Sequence, residues 1–343
     1  MNREQEPILD ELKDETPATD EAGSPWRSPW VHRWAVLLVW LTWPLIWVGG
    51  LVTTYDAGMA VPDWPATYGY NMFLYPWTTW LLGPFDLLIE HGHRLLASLV
   101  GLITIAMLVA AVWSRQPRWI VRLCIVALVG VILQGALGGA RVVMDARTVA
   151  MIHGCFGPAF FVLCWMIAGV SSRWWQATDA PSVPRNTVRW GAALAISSYL
   201  QLVLGAQLRH MPVDAGDSFF RHIVFSHLTG AALVAVLAVI TAWKLRRCGD
   251  LTLSRIGLGL IGLLILQWSL GLGTWFVNYG SPWALSQWPS LARYVIVAKG
   301  WTESMVVTGH MATGSLILAL ACWTWLRASR RCENSSFAKP AFD

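Results

Sequence analysis

The segment Glu90-His91-Gly92-His93-Arg94-Leu95-Leu96-Ala97 sets a carboxylate, two imidazoles and a guanidinium at the head of an apolar run that continues to about Trp113. Ionisable groups at membrane depth are costly unless they are used, so such a cluster is a functional hypothesis by default. Glu90 and His93, three residues apart, share a helix face. The arrangement returns without its glutamate: His93-Arg94-Leu95-Leu96-Ala97-Ser98-Leu99-Val100 aligns with His227-Leu228-Thr229-Gly230-Ala231-Ala232-Leu233-Val234, and His153 with Gly157 aligns with His310 with Gly314. A second pattern, Gln-x-x-Leu-Gly, appears three times, at Gln134, Leu137 and Gly138, at Gln201, Leu204 and Gly205, and at Gln267, Leu270 and Gly271; the first apolar run has only the glycines, Gly49 and Gly50. Such a glycine lets a partner helix or a flat ligand come close, and a glutamine one turn away can bridge helices.

The elements that must position these residues are membrane helices. A chain of 343 residues with 55% apolar and 13% charged residues and 23 tryptophans is excluded from the ordinary soluble domains. Hydropathy places eight spans near 33–54, 86–113, 119–141, 149–171, 188–209, 222–243, 256–278 and 303–326. The expected fold is therefore all-α and polytopic, with eight transmembrane helices in two tandem pseudo-symmetric four-helix bundles, 33–171 and 188–326, joined by an inner linker at 172–187. An even number of spans separates the units, so they run parallel in the membrane. Residues 1–32, with eight of the 20 acids, read as a disordered tail, and 327–343 as a second tail. No removable signal peptide is expected, because the first apolar run is of full spanning length. If the N-terminus is cytoplasmic, 18 Lys and Arg fall in the tails and inner loops and six fall outside, which makes both termini cytoplasmic and explains the basic excess without nucleic acid. None of the six cysteines lies in an outer loop, so neither a structural disulfide nor a Cys-based metal site is expected. The outer segment from Thr53 to about Pro84, which includes Asp63-Trp64-Pro65, is long and aromatic enough either to fold over the mouth of the bundle or to form an interfacial belt.

His93, His153, His227 and His310 lie five to seven residues inside the outer ends of their spans, roughly 8–11 Å deep at 1.5 Å per residue. In a four-helix bundle the second and fourth helices face each other diagonally, so each unit presents two imidazoles at one level. That suits a planar tetrapyrrole with two axial histidines; a zinc or copper site would want three or four ligands converging on one point. His32, His91, His210 and His222 read as interfacial or supporting groups, with His91 and His222 the strongest exceptions. Val224 stands where Glu90 would be in the second half. Glu90 is thus a candidate proton donor or acceptor in oxygen chemistry, which assigns chemistry to the N-terminal site and a permanent haem to the C-terminal one. Arg141 and Arg209 are candidate partners of haem propionates or ordinary outer-face charges. Arg94 needs a partner such as Glu90 or a propionate.

At these residues the sequence resembles the haem A synthase family, over the whole stretch from about Trp34 to Trp325. The resemblance rests on Glu90-x-x-His93-Arg94, on Asp63-Trp64-Pro65, on His153, His227 and His310 on alternate helices, and on the repeat. It implies oxygen-dependent conversion of a ring methyl of haem O, through an alcohol, to the formyl group of haem A. Haem O would lie at His93 and His153, haem b at His227 and His310 would relay electrons, and Glu90 would be the essential acid. Implied partners are membrane lipid, haem O and molecular oxygen, with the haem O synthase, an electron donor and a second copy of the chain as further candidates. The first outer loop has no cysteine, which places the chain with the cysteine-free members. The last outer loop, about Val277 to Thr302, is long and carries Tyr279, Trp283, Trp288 and Tyr294, as an amphipathic segment or a docking surface would. The rival reading is a non-enzymatic membrane dihaem b electron-transfer protein, which would not need a carboxylate in one half alone. A proton-coupled transporter would call for broken helices and midplane charges.

Overall fold

A computed structural model describes residues 28–176, 182–212, 214–279 and 300–332. Eight long helices dominate it: α1 (Trp30–Thr54), α2 (Phe85–Trp113), α3 (Arg118–Met144), α4 (Arg147–Val170), α5 (Arg185–Arg209), α6 (Asp217–Arg246), α7 (Leu251–Tyr279) and α8 (Trp301–Arg330). Even the shortest, with 24 residues, reaches about 36 Å at 1.5 Å per residue, enough to cross a bilayer. Prolines mark where four of them begin: Pro29, Pro84, Pro117 and Pro184 each stand immediately before the first helical residue. Proline is tolerated there because the first N–H groups of a helix have no intrahelical acceptor.

The surfaces follow the lipid rule. Leu102, Val109, Ile132, Leu133, Val236 and Ile265 face outward, while small and hydroxylated residues such as Ser304, Thr308, Thr313, Ser315 and Thr324 of α8 are buried between helices. Close packing through small residues is how helices associate when the solvent is itself apolar.

Helices α1 to α4 form a ring in which each touches the next and α4 touches α1; α5 to α8 form a second ring in the same way. Each ring has its own apolar core. One gathers Leu38, Ile103, Met107, Ile120, Ala127 and Phe160, the other Leu194, Leu237, Leu245, Leu253, Leu260 and Ala321. These cores fill one end of each ring and leave the other end to the histidines. The rings meet where α8 touches α1 and α4, and where α4 touches α5.

Helix ends differ from the expected spans by a few residues, because polar flanking turns stay helical: α1 starts at Trp30, and α8 runs on to Arg330. The expected linker contains a short helix, Arg173–Gln176. It is held by side chains that hydropathy does not register. Trp174 lies against Trp323 and under the Arg327 guanidinium, which is 3.8 Å from its ring centre. Of the expected tails, residues 1–27 and 333–343 lie outside the described residues, as do Trp283, Trp288 and Tyr294 of the last outer loop; the first tail's Trp30, Val31 and His32 are helical, and the second tail is helical up to Arg330.

Candidate functional site

Each of the four histidines that share a depth in the sequence sits on a glycine of the preceding helix. A methyl group at Gly49 of α1 would lie 2.9 Å from His93 Cε1, at Gly138 of α3 3.2 Å from His153, at Gly205 of α5 3.2 Å from His227, and at Gly271 of α7 3.0 Å from His310. The glycine of Gln-x-x-Leu-Gly is thus the seat of an imidazole, and any side chain there would push the ring away. Seated in this way, His93 of α2 faces His153 of α4 with ring centres 6.4 Å apart and planes at 79°. His227 of α6 faces His310 of α8 at 6.3 Å and 69°. An iron bonded at about 2 Å to a nitrogen of each ring, with each nitrogen about 1 Å from its ring centre, needs the centres about 6 Å apart, so both pairs have room for one. Among the described residues no group of three or more His, Cys, Asp or Glu converges on a point.

The glutamines of the motif also have work to do. Gln134 Nε2 donates to the His153 carbonyl at 3.2 Å. Gln201 Nε2 donates to the His227 carbonyl at 2.9 Å and lies 3.0 Å from its Nδ1. The backbone carbonyl of Gln267 accepts from His310 Nδ1 at 3.2 Å.

Glu90 is 2% exposed and fully engaged. Its Oε2 accepts from the Val61 amide at 2.9 Å and its Oε1 from Arg94 at 2.8 Å. Arg141 of α3 stands 3.8 Å from the same Oε1, close in charge but beyond direct hydrogen-bond reach. Arg94 finds the carboxylate partner that the sequence asked for, and three more in the backbone carbonyls of Val61 at 2.7 Å, Asp63 at 2.7 Å and Ala66 at 3.2 Å. Three of its four terminal N–H groups are therefore spent on the outer segment and the fourth on Glu90. Sequence reasoning singled out Glu90 and Arg94 but could not show that their partners are main-chain groups some thirty residues upstream.

That segment folds over the histidine end of the first ring. Asp63 takes the Tyr68 and Gly69 amides, both at 2.8 Å. These two residues have φ of 51° and 79°, the left-handed pair of a two-residue hairpin turn closed by Thr67 and Tyr70. Burial works against the charge of Asp63, but the Gly69 and Tyr68 amides outweigh it and, with Arg94, hold the carboxyl below its ordinary range. The Trp64 ring lies on Gly139, where a methyl group would fall 2.4 Å from it. His91 is buried beneath the same segment, 3.2 Å from Thr67 Oγ1 and against Tyr75 and Trp80.

Arg141 donates to the Gly58 carbonyl at 3.0 Å, and Gly58 has no side chain to obstruct it. Arg209 reaches from α5 to the Gly50 carbonyl of α1 at 2.8 Å and to Thr54, whose hydroxyl also meets Thr308 of α8 at 3.1 Å. It thus lies on the seam between the rings, beside the seat of His93. His210 bonds the Ala206 carbonyl, and His222 is exposed and bonds the Ser218 carbonyl. His32 lies at the other end against Ala168.

Residues 84–216, which contain Glu90, His93, Arg141, His153 and Arg209, match a family model described as "Cytochrome oxidase assembly protein". The chain is 30% identical over 239 residues to the "Heme A synthase" of Symbiobacterium thermophilum, an alignment covering 62% of this chain and 73% of that protein. It is 24% identical over 328 residues to the "Heme A synthase" of Listeria welshimeri, covering 88% and 96% of the two. A third relative of the same name, from Hyphomonas neptunium, is 24% identical over 249 residues, covering 61% and 70%.

Proposed function

The chain belongs to the haem A synthase family, and from that premise we propose that it oxidises a ring methyl of haem O to the formyl group of haem A, using oxygen, in support of terminal oxidase assembly. It is a multi-pass membrane protein and an enzyme of haem A biosynthesis. On the proposed reading, residues 33–171 form the substrate unit, with haem O between His93 and His153. Residues 188–326 form a resident unit, with haem b between His227 and His310, and both termini are cytoplasmic.

One observation carries this reading: two histidine pairs have the same ring separation, yet only one has a buried carboxylate one turn before a histidine, Glu90, where the other has the buried Val224. Bound haem would supply oxygen activation at the first pair and electron transfer at the second. The chain's own residues do the rest. Glycine seats fix the ring positions, and Glu90 holds a negative charge beside Arg141 on the histidine side of α2. Arg94 pins the outer segment over the ring. Glu90 acts as the acidic group of the reaction, with the Oε1 edge that faces Arg141 available for proton exchange through a bridging water.

The test is expression in a host that makes haem O but no haem A, followed by extraction of the non-covalent haems and identification by mass and retention. The parent protein yields haem A or its alcohol precursor only with oxygen. Glu90→Gln retains haem O and yields neither, and His227→Ala loses haem b. Full conversion by Glu90→Gln would refute the division of labour between the halves. Haem b alone in both sites, unchanged by haem O supply, would identify an electron carrier instead.

A further inference from the structure

We infer that the end of the molecule remote from the four histidines holds one anionic phospholipid, with its phosphate at Arg327 and an acyl chain in the groove between α1, α4 and α8. Arg327 is 5% exposed, and its Nε is buried without a hydrogen-bond partner. Among the described residues no carboxylate forms an ion pair with it. The Trp174 ring, 3.8 Å from the guanidinium, attracts a cation without neutralising it. The indole Nε1 of Trp174 is itself buried with no acceptor. Arg331 also borders this ring, at 5.3 Å, but it is committed to Asp250, whose other oxygen accepts from the Leu253 amide at 2.8 Å. A buried charge without a counter-charge is costly. Arg327 and Trp174 therefore call for an anion with several acceptor oxygens, which a phosphate diester provides.

Position along the helices favours a lipid over a free anion. Arg327 lies 327−310, or 17, residues beyond His310, about 25 Å at 1.5 Å per residue. With His310 roughly 8–11 Å inside one boundary, Arg327 stands at the headgroup level of the opposite one. Trp323, one turn nearer the histidines, lies against Trp174 with ring centres 5.2 Å apart and covers Gly169, where any side chain would meet its ring. The same tryptophan walls a cavity of about 290 Å³, lined also by Val36 and Val39 of α1 and Trp165 of α4, with His32 and Ser172 as its polar members. Val36 and Val39 stand 49−36, or 13, and 49−39, or 10, residues from Gly49, which is roughly 15–20 Å from the histidine level. The cavity therefore lies between the depth of Arg327 and that of the histidines, where an acyl chain hangs below its phosphate. Basic groups set between helices at headgroup depth are where anionic lipids are held.

The experiment titrates the full-length, lipid-depleted protein in detergent with dioleoyl phosphatidylglycerol, dioleoyl phosphatidylcholine or inorganic phosphate, and counts bound molecules by native mass spectrometry. The parent takes one phosphatidylglycerol roughly 10-fold more tightly than phosphatidylcholine. Arg327→Gln loses that preference. Val36→Phe, which narrows the groove, weakens phosphatidylglycerol binding and serves as the test if Arg327→Gln does not fold. Because Arg327 has no counter-charge in the chain, Arg327→Gln leaves the lipid-free thermal midpoint unchanged or raises it, which separates a lost site from a damaged fold. Equal binding of the two lipids by the parent, or a preference kept in Arg327→Gln, overturns the inference. So does a lower lipid-free midpoint in Arg327→Gln, since the chain itself would then satisfy the arginine. Inorganic phosphate that displaces phosphatidylglycerol one for one and binds Val36→Phe as tightly as the parent would identify a free-anion site and overturn the lipid assignment.

Discussion

At the scale of single residues, Glu90 serves two purposes that mutation can separate. It neutralises a buried arginine and, on the proposed function, it handles protons. Removing one partner of a buried pair typically costs about 3–5 kcal/mol, because the other charge is left uncompensated. Glu90→Ala should therefore lower the thermal midpoint of the detergent-solubilised protein as well as stop conversion. Glu90→Gln, which keeps one acceptor oxygen and the side-chain volume but not the charge, should stop conversion with a smaller change in midpoint than Glu90→Ala. Asp63 is a structural counterpart. Its carboxyl sits below the ordinary range, so its contribution to order in the outer segment is complete above the unfolded carboxylate range and is lost as the pH falls through the lowered value. Limited proteolysis of residues 55–84 should accelerate over that acid window in the parent. In Asp63→Asn it should be fast at all pH values. Residue types announced this chemistry in the sequence, but its partners were not legible: the Val61 amide and the Asp63 carbonyl are backbone groups that carry no residue-type signal.

Between helices, the recurring unit is a ring on a glycine. Three copies of Gln-x-x-Leu-Gly made it visible in the sequence, since a motif repeated on alternate helices has a meaning that one copy lacks. What the motif faces was not legible, because helical periodicity names a face and leaves the neighbour unspecified. Gly49 shows why: it performs the same task as Gly138, Gly205 and Gly271 without the glutamine that would have marked it. The prediction at this scale is steric. Gly205→Val should displace the His227 ring and, on the proposed function, lose the resident haem while leaving the first pair loaded, as read by haem content and spectrum. Gly49→Val should do the reverse. Retention of both haems in Gly205→Val would mean that the seat is incidental to the ligand.

Across the whole molecule, the eight spans were legible because apolar runs of that length have few alternatives, and the shared residue patterns disclosed the repeat. How the halves lie together was not, since the contacts between them, such as Gly50 with Met311, Gly309 with Trp47 and Arg209 with Gly50, join residues far apart in the sequence. Arg209 crosses from α5 to the Gly50 carbonyl next to the His93 seat, and Thr54 links it to Thr308, two residues before His310. On the proposed function, Arg209→Leu should therefore perturb the spectra of both haems together, whereas a change confined to the second pair would show that the seam does not couple them. The seam also bears on how the protein is made. Helix α8 touches α1 and α4 of the first ring as well as α5 and α7 of its own, and 56% of its apolar stretch is buried against 33% or less for every other helix. It leaves the ribosome after the other seven. The central post of the molecule is thus the late arrival, and until it inserts, the first ring is uncovered along one side and the second ring is open and lacks His310. On the proposed function, haem loading of the second pair must wait for the end of synthesis, and a nascent chain stalled before Trp301 would sit in the membrane with the seam that α8 covers left open.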